Sequence, residues 1–267
     1  MYEAFFGLTG TPFARDISVE HLLETESRRE LQGRLNYVAR TRAFGVFTGD
    51  AGTGKTTALR KFCHGLDGNR YRVLYISDSA LTPRNFYWEA LHQLGCEPRF
   101  YRGDAKRQLQ KALGVLTDNE KKTPVIIVDE AHLLSREMLE EIRFLLNFNM
   151  DSYNPCALVL SGQNELRDTL KKQVFEAISQ RINIRYILPS FERAQCGEYI
   201  ARHLEYAGAL SEIFSEKAVD EIHRFAAGRA RKINSACTQS LMHAAQIGKR
   251  IIDDHMVRDV LEGEIDW

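Results

Sequence analysis

The sequence predicts an α/β protein in which a parallel five-stranded sheet lies between two layers of helices, followed by a small all-helical domain. Five short apolar segments alternate with helical stretches, which is typical of a parallel, doubly wound sheet. A glycine-rich loop joins the first segment to a helix, and no strand pattern follows Pro189. These observations divide the chain into an α/β part and a helical part.

The composition is that of a globular protein, and 267 residues suffice for one α/β domain and a smaller second domain. Lysine plus arginine and aspartate plus glutamate both number 36, so a polyanion site would require local clustering of charge. The five cysteines are widely spaced, which favours small buried hydrophobes in a reduced cytoplasm. No apolar run approaches about 18 residues and the start lacks a basic leader, so we expect a cytoplasmic protein without a membrane span.

Residues 1–43 are predicted to form an arm and a helix that pack on the α/β domain. Residues 1–25 hold short apolar and turn elements that are too irregular for a long helix. Residues 26–42 have the pattern of an amphipathic helix, in which helical spacing relates the apolar residues Leu31, Leu35, Val38 and Ala39. This helix leads into the first strand.

The α/β domain is predicted to span residues 44–189. Its strands are expected at 44–47, 72–78, 124–130, 156–162 and 182–188. The third and fourth segments are almost continuously apolar, which suits strands that are buried on both faces. Because helical stretches separate the segments, the strands should run parallel.

Residues 190–267 are predicted to form the helical domain. One apolar helical stripe starts after Ser215, a suitable N-cap, and ends before Gly228, a suitable C-cap. This stripe comprises Ala218, Val219, Ile222, Phe225 and Ala226. The next stripe comprises Ile233, Ala236, Cys237, Ser240, Leu241, Ala244 and Ala245.

The loop 49–56 has the form G-x-x-x-x-G-K-T between a predicted strand and a predicted helix, the context that a phosphate-binding loop requires. Its glycines let backbone N–H groups converge on phosphate oxygens at a helix N-terminus. We expect Lys55 to reach the β- and γ-phosphates of ATP and Thr56 to ligate Mg²⁺. An ordinary glycine-rich turn is the alternative, which the flanking elements disfavour. The predicted nucleotide-binding residues are Gly49, Asp50, Ala51, Gly52, Thr53, Gly54, Lys55, Thr56 and Thr57.

Two acids follow the third predicted strand, at the edge of the sheet where the phosphate loop is expected. Asp129 should join Thr56 in holding Mg²⁺, and Glu130 should orient or deprotonate the attacking water. The alternative is that the acid pair caps the next helix. Because the loop and the acid pair predict the same site independently, we favour hydrolysis of ATP.

Besides the glycine-rich loop and the acid pair, several other segments of the chain match the pattern of one family. They are Phe6-Gly7-Leu8 to Pro12-Phe13, Asp129-Glu130-Ala131-His132, residues 158–166, Gln180-Arg181-Ile182 and residues 228–234. In this order they resemble AAA+ ATPases of the ExeA-like group over nearly the whole chain. The resemblance implies a three-layer P-loop AAA+ domain followed by a helical lid.

The resemblance also implies two residues that contact the nucleotide within one subunit. Gln163, or Ser161 in its place, corresponds to sensor 1, which contacts the γ-phosphate or the water. Arg231 corresponds to the sensor 2 arginine of the lid. Ala230 replaces the proline that normally precedes this arginine, so Arg229 and Lys232 remain alternatives.

Arg181 matches the position from which AAA+ proteins present an arginine finger to the neighbouring subunit. A cation there neutralises charge on the transferring phosphoryl group. An arginine finger acts in trans, so the resemblance implies an oligomer. A surface ion pair is the alternative for Arg181. His132 is interpreted as structural or helix-capping, because no second ligand stands at metal spacing.

A basic cluster interleaved with aromatic residues lies between the second and third predicted strands. Initiator-type AAA+ proteins and their transposition relatives place DNA-contacting insertions there, so the resemblance implies cationic side chains on a loop that follow a phosphate backbone. The alternative is a solvated helix face, and Trp88 is interpreted as packing. The candidate DNA contacts are Arg84, Arg99, Arg102, Lys106 and Arg107.

Two functions fit this resemblance. Transposition helper ATPases of the MuB, TnsC, TniB and IstB type assemble with ATP on double-stranded DNA, as a ring or helical filament, and recruit a transposase. ExeA-like ATPases of secretion systems carry a membrane segment and an envelope-binding part after the ATPase. Because this chain ends at Trp267 with neither, we expect the helper function, with further copies, DNA and a transposase as partners and no membrane. The alternative is assembly or remodelling in secretion without DNA.

Overall fold

The computed structural model describes residues 2–78, 80–145 and 154–265. The chain divides into two compact units. The sheet unit comprises Ser27–Gly49 and Lys55–Leu188, and the helical unit comprises Met1–Glu26, Asp50–Gly54 and Pro189–Trp267. The helices in chain order are α1 (Tyr2–Phe6), α2 (Glu26–Thr41), α3 (Lys55–Gly65), α4 (Pro83–Gln93), α5 (Arg102–Asp118), α6 (Arg136–Leu145), α7 (Asn164–Leu170), α8 (Glu176–Ser179), α9 (Arg193–Tyr206), α10 (Glu216–Ala226), α11 (Ala230–Gln246) and α12 (Asp254–Ile265).

Within the described residues, the sheet unit contains a parallel five-stranded sheet, as the sequence predicts. The strands are β1 (Phe44–Thr48), β2 (Tyr71–Ile76), β3 (Thr123–Val128), β4 (Ala157–Gly162) and β5 (Ile184–Ile187). Their order is β2-β3-β4-β1-β5, and every neighbouring pair is parallel. The sequential strands β1 and β2 are therefore separated by β3 and β4, and the carboxyl ends of β3, β4 and β1 are neighbours at one edge of the sheet.

Alternating strand residues build two cores, because successive side chains of a strand point to opposite faces. On one face, side chains such as Val46, Ile126 and Leu158 pack with helices α4 to α8. On the other, Phe47 and Ile127 pack with α2 and α3. The sheet therefore lies between two helical layers, and this burial on both faces explains the continuous apolar runs of β3 and β4.

The helical unit has a core of its own, to which the N-terminal segment contributes. Tyr2, Leu8, Phe13 and Leu23 are buried in one cluster with residues of α9 to α12. Thr9 N also donates to Ala207 O, at 2.8 Å. The sequence predicts that residues 1–25 pack on the α/β domain; the structure groups them with the helical unit, whose core their apolar side chains join. The predicted helix at 26–42 does belong to the sheet unit, apart from its first residue.

The predicted helices of the second unit are present in the structure. The hydroxyl of Ser215 accepts a hydrogen bond from Ala218 N at the start of α10. This helix ends at Ala226, where Ala227 and Gly228 take left-handed backbone angles. The units divide between Leu188 and Pro189, one residue before the predicted boundary, and residues 50–54 of the glycine-rich loop are grouped with the helical unit.

Candidate active site

The glycine-rich loop joins β1 to α3 and has the backbone of a tight turn. Gly52 and Gly54 have φ angles of 81° and 95°, which residues with a side chain rarely adopt. Asp50 O accepts hydrogen bonds from Thr53 N at 3.3 Å and from Thr53 Oγ1 at 2.9 Å. Gly54, which the motif specifies, and Gly52, which it does not, are thus both required by conformation.

Lys55 is buried at the first position of α3, with 6% of its surface exposed. Its ammonium group donates to Gly49 O at 2.9 Å. A buried ammonium needs such a partner, because an unpaired charge away from water is costly. The cation is therefore held next to the residue that starts the loop.

Asp129 collects three hydrogen bonds just after β3. Its Oδ2 accepts from Thr56 Oγ1 at 2.8 Å and from Tyr75 Oη at 2.9 Å, and its Oδ1 accepts from Glu130 N at 2.9 Å. The structure thus brings together Thr56 and Asp129, the two residues predicted to hold Mg²⁺. A hydroxyl and a carboxylate at this distance fit the oxygen ligands that Mg²⁺ prefers.

Tyr75 is a site residue that the sequence analysis missed. Burial, and after it the neighbouring Asp129 carboxylate, raises the pKa of Tyr75, so the phenol stays protonated and donates. Tyr75 lies on β2 and pairs with Ile127 of β3. Asp129 follows Ile127 by two residues. The sequence shows only one aromatic residue in an apolar strand, and pairing of β2 with β3 is what directs its hydroxyl to the acid.

Glu130 and Gln163 lie on either side of His132. Gln163 Nε2 is 2.9 Å from His132 Nε2, and His132 Nδ1 is 3.5 Å from Glu130 Oε2. Glu130 has a left-handed φ of 53°, a strained conformation that is frequent at functional sites. Ser161, the alternative to Gln163, is fully buried inside β4. The geometry favours Gln163 as the sensor 1 candidate, because its side chain contacts His132, whose ring lies beside Glu130.

Gly162 allows the loops after β1, β3 and β4 to approach one another. A Cβ atom at Gly162 would lie 2.9 Å from His132 N, closer than side-chain carbons are found. Gly162 O also accepts from Gly49 N at 3.3 Å. The sequence analysis recognised this glycine only as the end of a strand, and no local signal indicates that two other loops pack on it.

Arg181 lies at the opposite edge of the sheet from these groups. It precedes β5, and Asn183 N donates to Phe44 O at the first residue of β1, at 2.9 Å. The glycine-rich loop follows Thr48, four residues later and about 13 Å along the strand. The turn that carries Arg181 is braced by Arg185, whose guanidinium donates to Ser179 O at 2.5 Å. The structure therefore separates Arg181 from Lys55 and the acid pair of its own chain.

Arg231 contacts the glycine-rich loop within the helical unit. Its backbone N donates to Gly52 O at 3.1 Å, and a Cβ atom at Gly52 would lie 3.1 Å from Arg231 Cβ. Of the two alternatives, Lys232 places its ammonium 5.0 Å from the centre of the Phe225 ring. Arg229 Nε is buried and has no hydrogen-bond partner among the described residues. Both Arg231 and Arg229 thus remain candidates beside the loop.

Comparison with known proteins places this site in a family. Residues 38–170 match a family model described as an AAA domain. The protein belongs to the AAA+ family. Membership suggests that the chain is an ATPase, and it agrees with the loop, the acid pair and the helical unit described above.

Two relatives and one solved structure illustrate what this AAA+ protein is similar to. General secretion pathway protein A of Aeromonas hydrophila is 31% identical over 94% of this chain, which spans 46% of that protein, about half its length. ATP-dependent target DNA activator B of phage Mu is 23% identical over 91% of this chain and 74% of its own length. The solved structure of Cdc6p from Pyrobaculum aerophilum shares the fold, with a TM-score of 0.72, 18% identity and coverage of 98% of this chain and 70% of that one.

The proposed DNA contacts of this AAA+ protein lie mainly on a helix. Arg102, Lys106 and Arg107 belong to α5, so the expectation of a cationic loop is wrong for them. Arg102 donates to Glu137 at 2.5 Å and also pairs with Glu141, and Lys106 donates to Glu141 at 2.8 Å. These two cations therefore stabilise neighbouring carboxylates.

Glu141 is the buried centre of this ion cluster, with 5% of its surface exposed. Burial alone would raise its pKa, but hydrogen bonds from Lys106, Tyr87 and Arg102 lower the pKa of Glu141 to about 2. Arg107 pairs with Asp104 on the exposed side of the same helix, at 2.6 Å.

Arg84 and Arg99 lie beside exposed aromatic rings. The Arg84 guanidinium is 4.9 Å from the centre of the Trp88 ring and 4.4 Å from that of Phe100. Trp88 Nε1 donates to Arg99 O at 3.0 Å, which ties this segment to α4. Trp88 and Phe100 are 37% and 65% exposed, so the interpretation of Trp88 as packing is only partly met.

Across the described residues, no helix combines the length and the apolar character that crossing a membrane requires.

Proposed function

We propose that this AAA+ protein binds ATP with Mg²⁺ and hydrolyses it to ADP and phosphate. The observation that carries the proposal is the hydrogen bond between Thr56 and Asp129, which joins the two predicted motifs at one point. Thr56 and Asp129 would hold Mg²⁺, which would neutralise charge on the phosphates. Lys55 exchanges its contact with Gly49 O for the same phosphates.

The remaining site residues divide the work of hydrolysis. Glu130 accepts a proton from the attacking water as the water oxygen bonds to the γ-phosphorus. The bond from that phosphorus to the bridging oxygen of ADP breaks, and ADP takes the electron pair. Gln163 donates to the γ-phosphate. In the helical unit, Arg231 is the sensor 2 candidate, because its backbone N donates to Gly52 O of the glycine-rich loop. The backbone N–H groups of residues 49–57 hold the phosphates in place.

We further propose that active sites are shared between subunits of a homo-oligomer. The support is the position of Arg181 at the amino edge of β5, about 13 Å along β1 from its own glycine-rich loop. An arginine in that place serves a neighbouring chain better than its own, as an arginine finger does. ATP then links the subunits of a ring or a helical filament, and hydrolysis separates them.

At the level of biology, we propose a transposition helper that assembles with ATP on double-stranded DNA in the cytoplasm and recruits or activates a transposase. The phage Mu relative, whose name describes an ATP-dependent activator of target DNA, supports this proposal. The cluster of half-buried Arg84 with exposed Arg99, Trp88 and Phe100 suits a phosphate backbone without reading bases. Because Arg102 and Lys106 hold Glu141, we place them behind this surface.

The second candidate function is assembly or remodelling in a secretion system without DNA. The similarity that favours it is the 31% identity to general secretion pathway protein A. Both functions use the same ATPase site, so only the partner distinguishes them.

Binding to duplex DNA tests the choice between these functions. We expect anisotropy measurements with a non-hydrolysable ATP analogue to show binding that weakens steeply with salt, and binding in ADP to be at least about 10-fold weaker. Replacing Arg84 and Arg99 by alanine should lower the salt slope by about 2. Arg70→Ala, which removes another exposed arginine beside an aromatic ring, should leave the slope unchanged. Absence of ATP-dependent, salt-sensitive binding would favour the secretion function.

A further inference from the structure

His132 has no role in the proposed mechanism, although it lies between Glu130 and Gln163, two side chains that the mechanism uses. We propose that His132 is a positioning residue that holds the Glu130 carboxylate for catalysis, and that Gln163 sets the tautomer of its ring. This inference rests on the proposed ATPase function. It assigns to His132 a role that differs from the structural or capping role expected from the sequence.

The ring of His132 is positioned to contact both neighbours. Its side chain is only 10% exposed, with Nε2 2.9 Å from Gln163 Nε2 and Nδ1 3.5 Å from Glu130 Oε2. Among the described residues, Nδ1 is a buried polar atom without a hydrogen-bond partner. A buried ring nitrogen that lacks a hydrogen-bond partner is unfavourable, so a nearby carboxylate is a favourable acceptor for it.

The contact with Gln163 determines which ring nitrogen carries the proton. The amide nitrogen of Gln163 donates, so His132 Nε2 must accept and the hydrogen of the neutral ring must be on Nδ1. That hydrogen then faces Glu130 Oε2. With the amide reversed, Nε2–H would donate to the Gln163 oxygen and the Nδ1 lone pair would face the Glu130 carboxylate. Only the first arrangement gives both neighbours of the ring a favourable contact.

The backbone around His132 is fixed, whereas the Glu130 side chain has room to move. Leu133 N donates to Glu130 O at 3.0 Å in the short 3₁₀ helix Ala131–Leu133, and Gly162 packs against His132 N. The Glu130 side chain is 44% exposed. A side-chain rotation of Glu130 therefore suffices to shorten the 3.5 Å separation to a hydrogen bond, as catalytic contacts often do when substrate binds.

Gln163 connects this arrangement to the nucleotide. Its amide nitrogen has two hydrogens, of which one serves His132 and the other remains for the γ-phosphate. Contact of Gln163 with the γ-phosphate thus helps to keep the tautomer of His132 that holds Glu130. Such a link favours water activation when a triphosphate is bound.

Steady-state kinetics of His132 variants test the role. We expect His132→Ala to lower kcat by about 10- to 100-fold, the worth of one hydrogen bond to a charged group, with KM and nucleotide Kd changed less than about 2-fold. His132→Asn keeps a donor near the position of Nδ1 and should recover most of the activity. His132→Gln, which places its amide near the position of Nε2, should not.

A double-mutant cycle separates positioning from a general loss of structure. If His132 acts through Glu130, His132→Ala should have no further effect on the residual rate of the Glu130→Gln protein. An additional 10-fold loss in that background, or equal activity of the asparagine and glutamine variants, would overturn the inference.

The ring tautomer provides a test that needs no turnover. Ring ¹⁵N chemical shifts of the nucleotide-free chain, assigned by loss of the signal in His132→Gln, should show the hydrogen on Nδ1. Finding it on Nε2 would contradict the proposal. A wild-type chain that fails to hydrolyse ATP overturns the proposed function and this inference with it. An active wild type with an equally active His132→Ala variant overturns the inference alone.

Discussion

Replacing the buried carboxylate of Glu141 should destabilise the sheet unit strongly, although this residue is far from the phosphate loop in sequence. Glu141 on α6 accepts hydrogen bonds from Tyr87, Arg102 and Lys106, and only 5% of its surface is exposed. Its pKa is lowered from the ordinary 4.5 to about 2. At 1.36 kcal/mol per pKa unit, ionisation of Glu141 contributes about 3 kcal/mol to stability at neutral pH.

The sign of the pH dependence follows from the lowered pKa. Because the folded chain holds the ionised form more tightly than the unfolded chain does, the contribution is complete above about pH 4.5. It is lost as the pH falls toward about 2. Glu141→Gln should therefore lose about 3 kcal/mol at pH 7, and the difference from wild type should shrink across that interval.

Urea denaturation followed by the fluorescence of Trp88, in a Trp267→Phe background, reports on the unit that contains Glu141. Glu140→Gln is the matched control, because Glu140 lies on the same helix in an exposed pair with Arg136. That control should cost less than about 0.5 kcal/mol. Equal losses for the two variants, or a Glu141 effect that persists unchanged at pH 2, would refute the reasoning.

Three further predictions concern the catalytic site. Glu130→Gln should retain ATP binding and lower kcat by about 10²- to 10⁴-fold, and a normal rate of phosphate release would exclude Glu130 as the base. Arg181→Ala should lower kcat by about 10³-fold or more. Mixing the Arg181→Ala protein with the Lys55→Ala protein should restore some hydrolysis at interfaces between the two variants. If no mixing ratio restores hydrolysis, Arg181 does not act in trans. Tyr75→Phe removes a donor to Asp129 and should weaken Mg²⁺-dependent ATP binding by roughly 10-fold in a magnesium titration, whereas an unchanged midpoint would contradict that support.

Much of the candidate active site could be predicted from local sequence. The motif at 49–56 needs only contiguous residues, because its glycines, lysine and threonine act through backbone turns and a helix start. Asp129 and Glu130 could be placed next to it, since carboxyl ends of parallel strands share an edge. Gln163 followed from the family resemblance, and the structure brings it to the neighbour of Glu130.

Other features could not be predicted, because they depend on partners distant in the chain. The sequence shows Arg102 and Lys106 as members of a basic cluster, but the carboxylate that pairs with both is Glu141, 35 or more residues away on α6. The same holds for Tyr75, which reaches Asp129 only because β2 pairs with β3. Charge patterns along a chain therefore do not separate a binding surface from an internal ion cluster.

The sequence by itself determined the α/β class, the five strands, the helices of the second unit and the phosphate loop, because each depends on periodicity or on adjacent residues. The tertiary structure decided where the N-terminal segment packs, since Tyr2, Leu8 and Phe13 could cover either unit by hydrophobicity alone. It also decided that His132 lies between Gln163 and Glu130, through the close approach of β3 and β4 at Gly162. Hydrophobic burial is not directional, whereas hydrogen-bonded geometry exists only once the strands are paired.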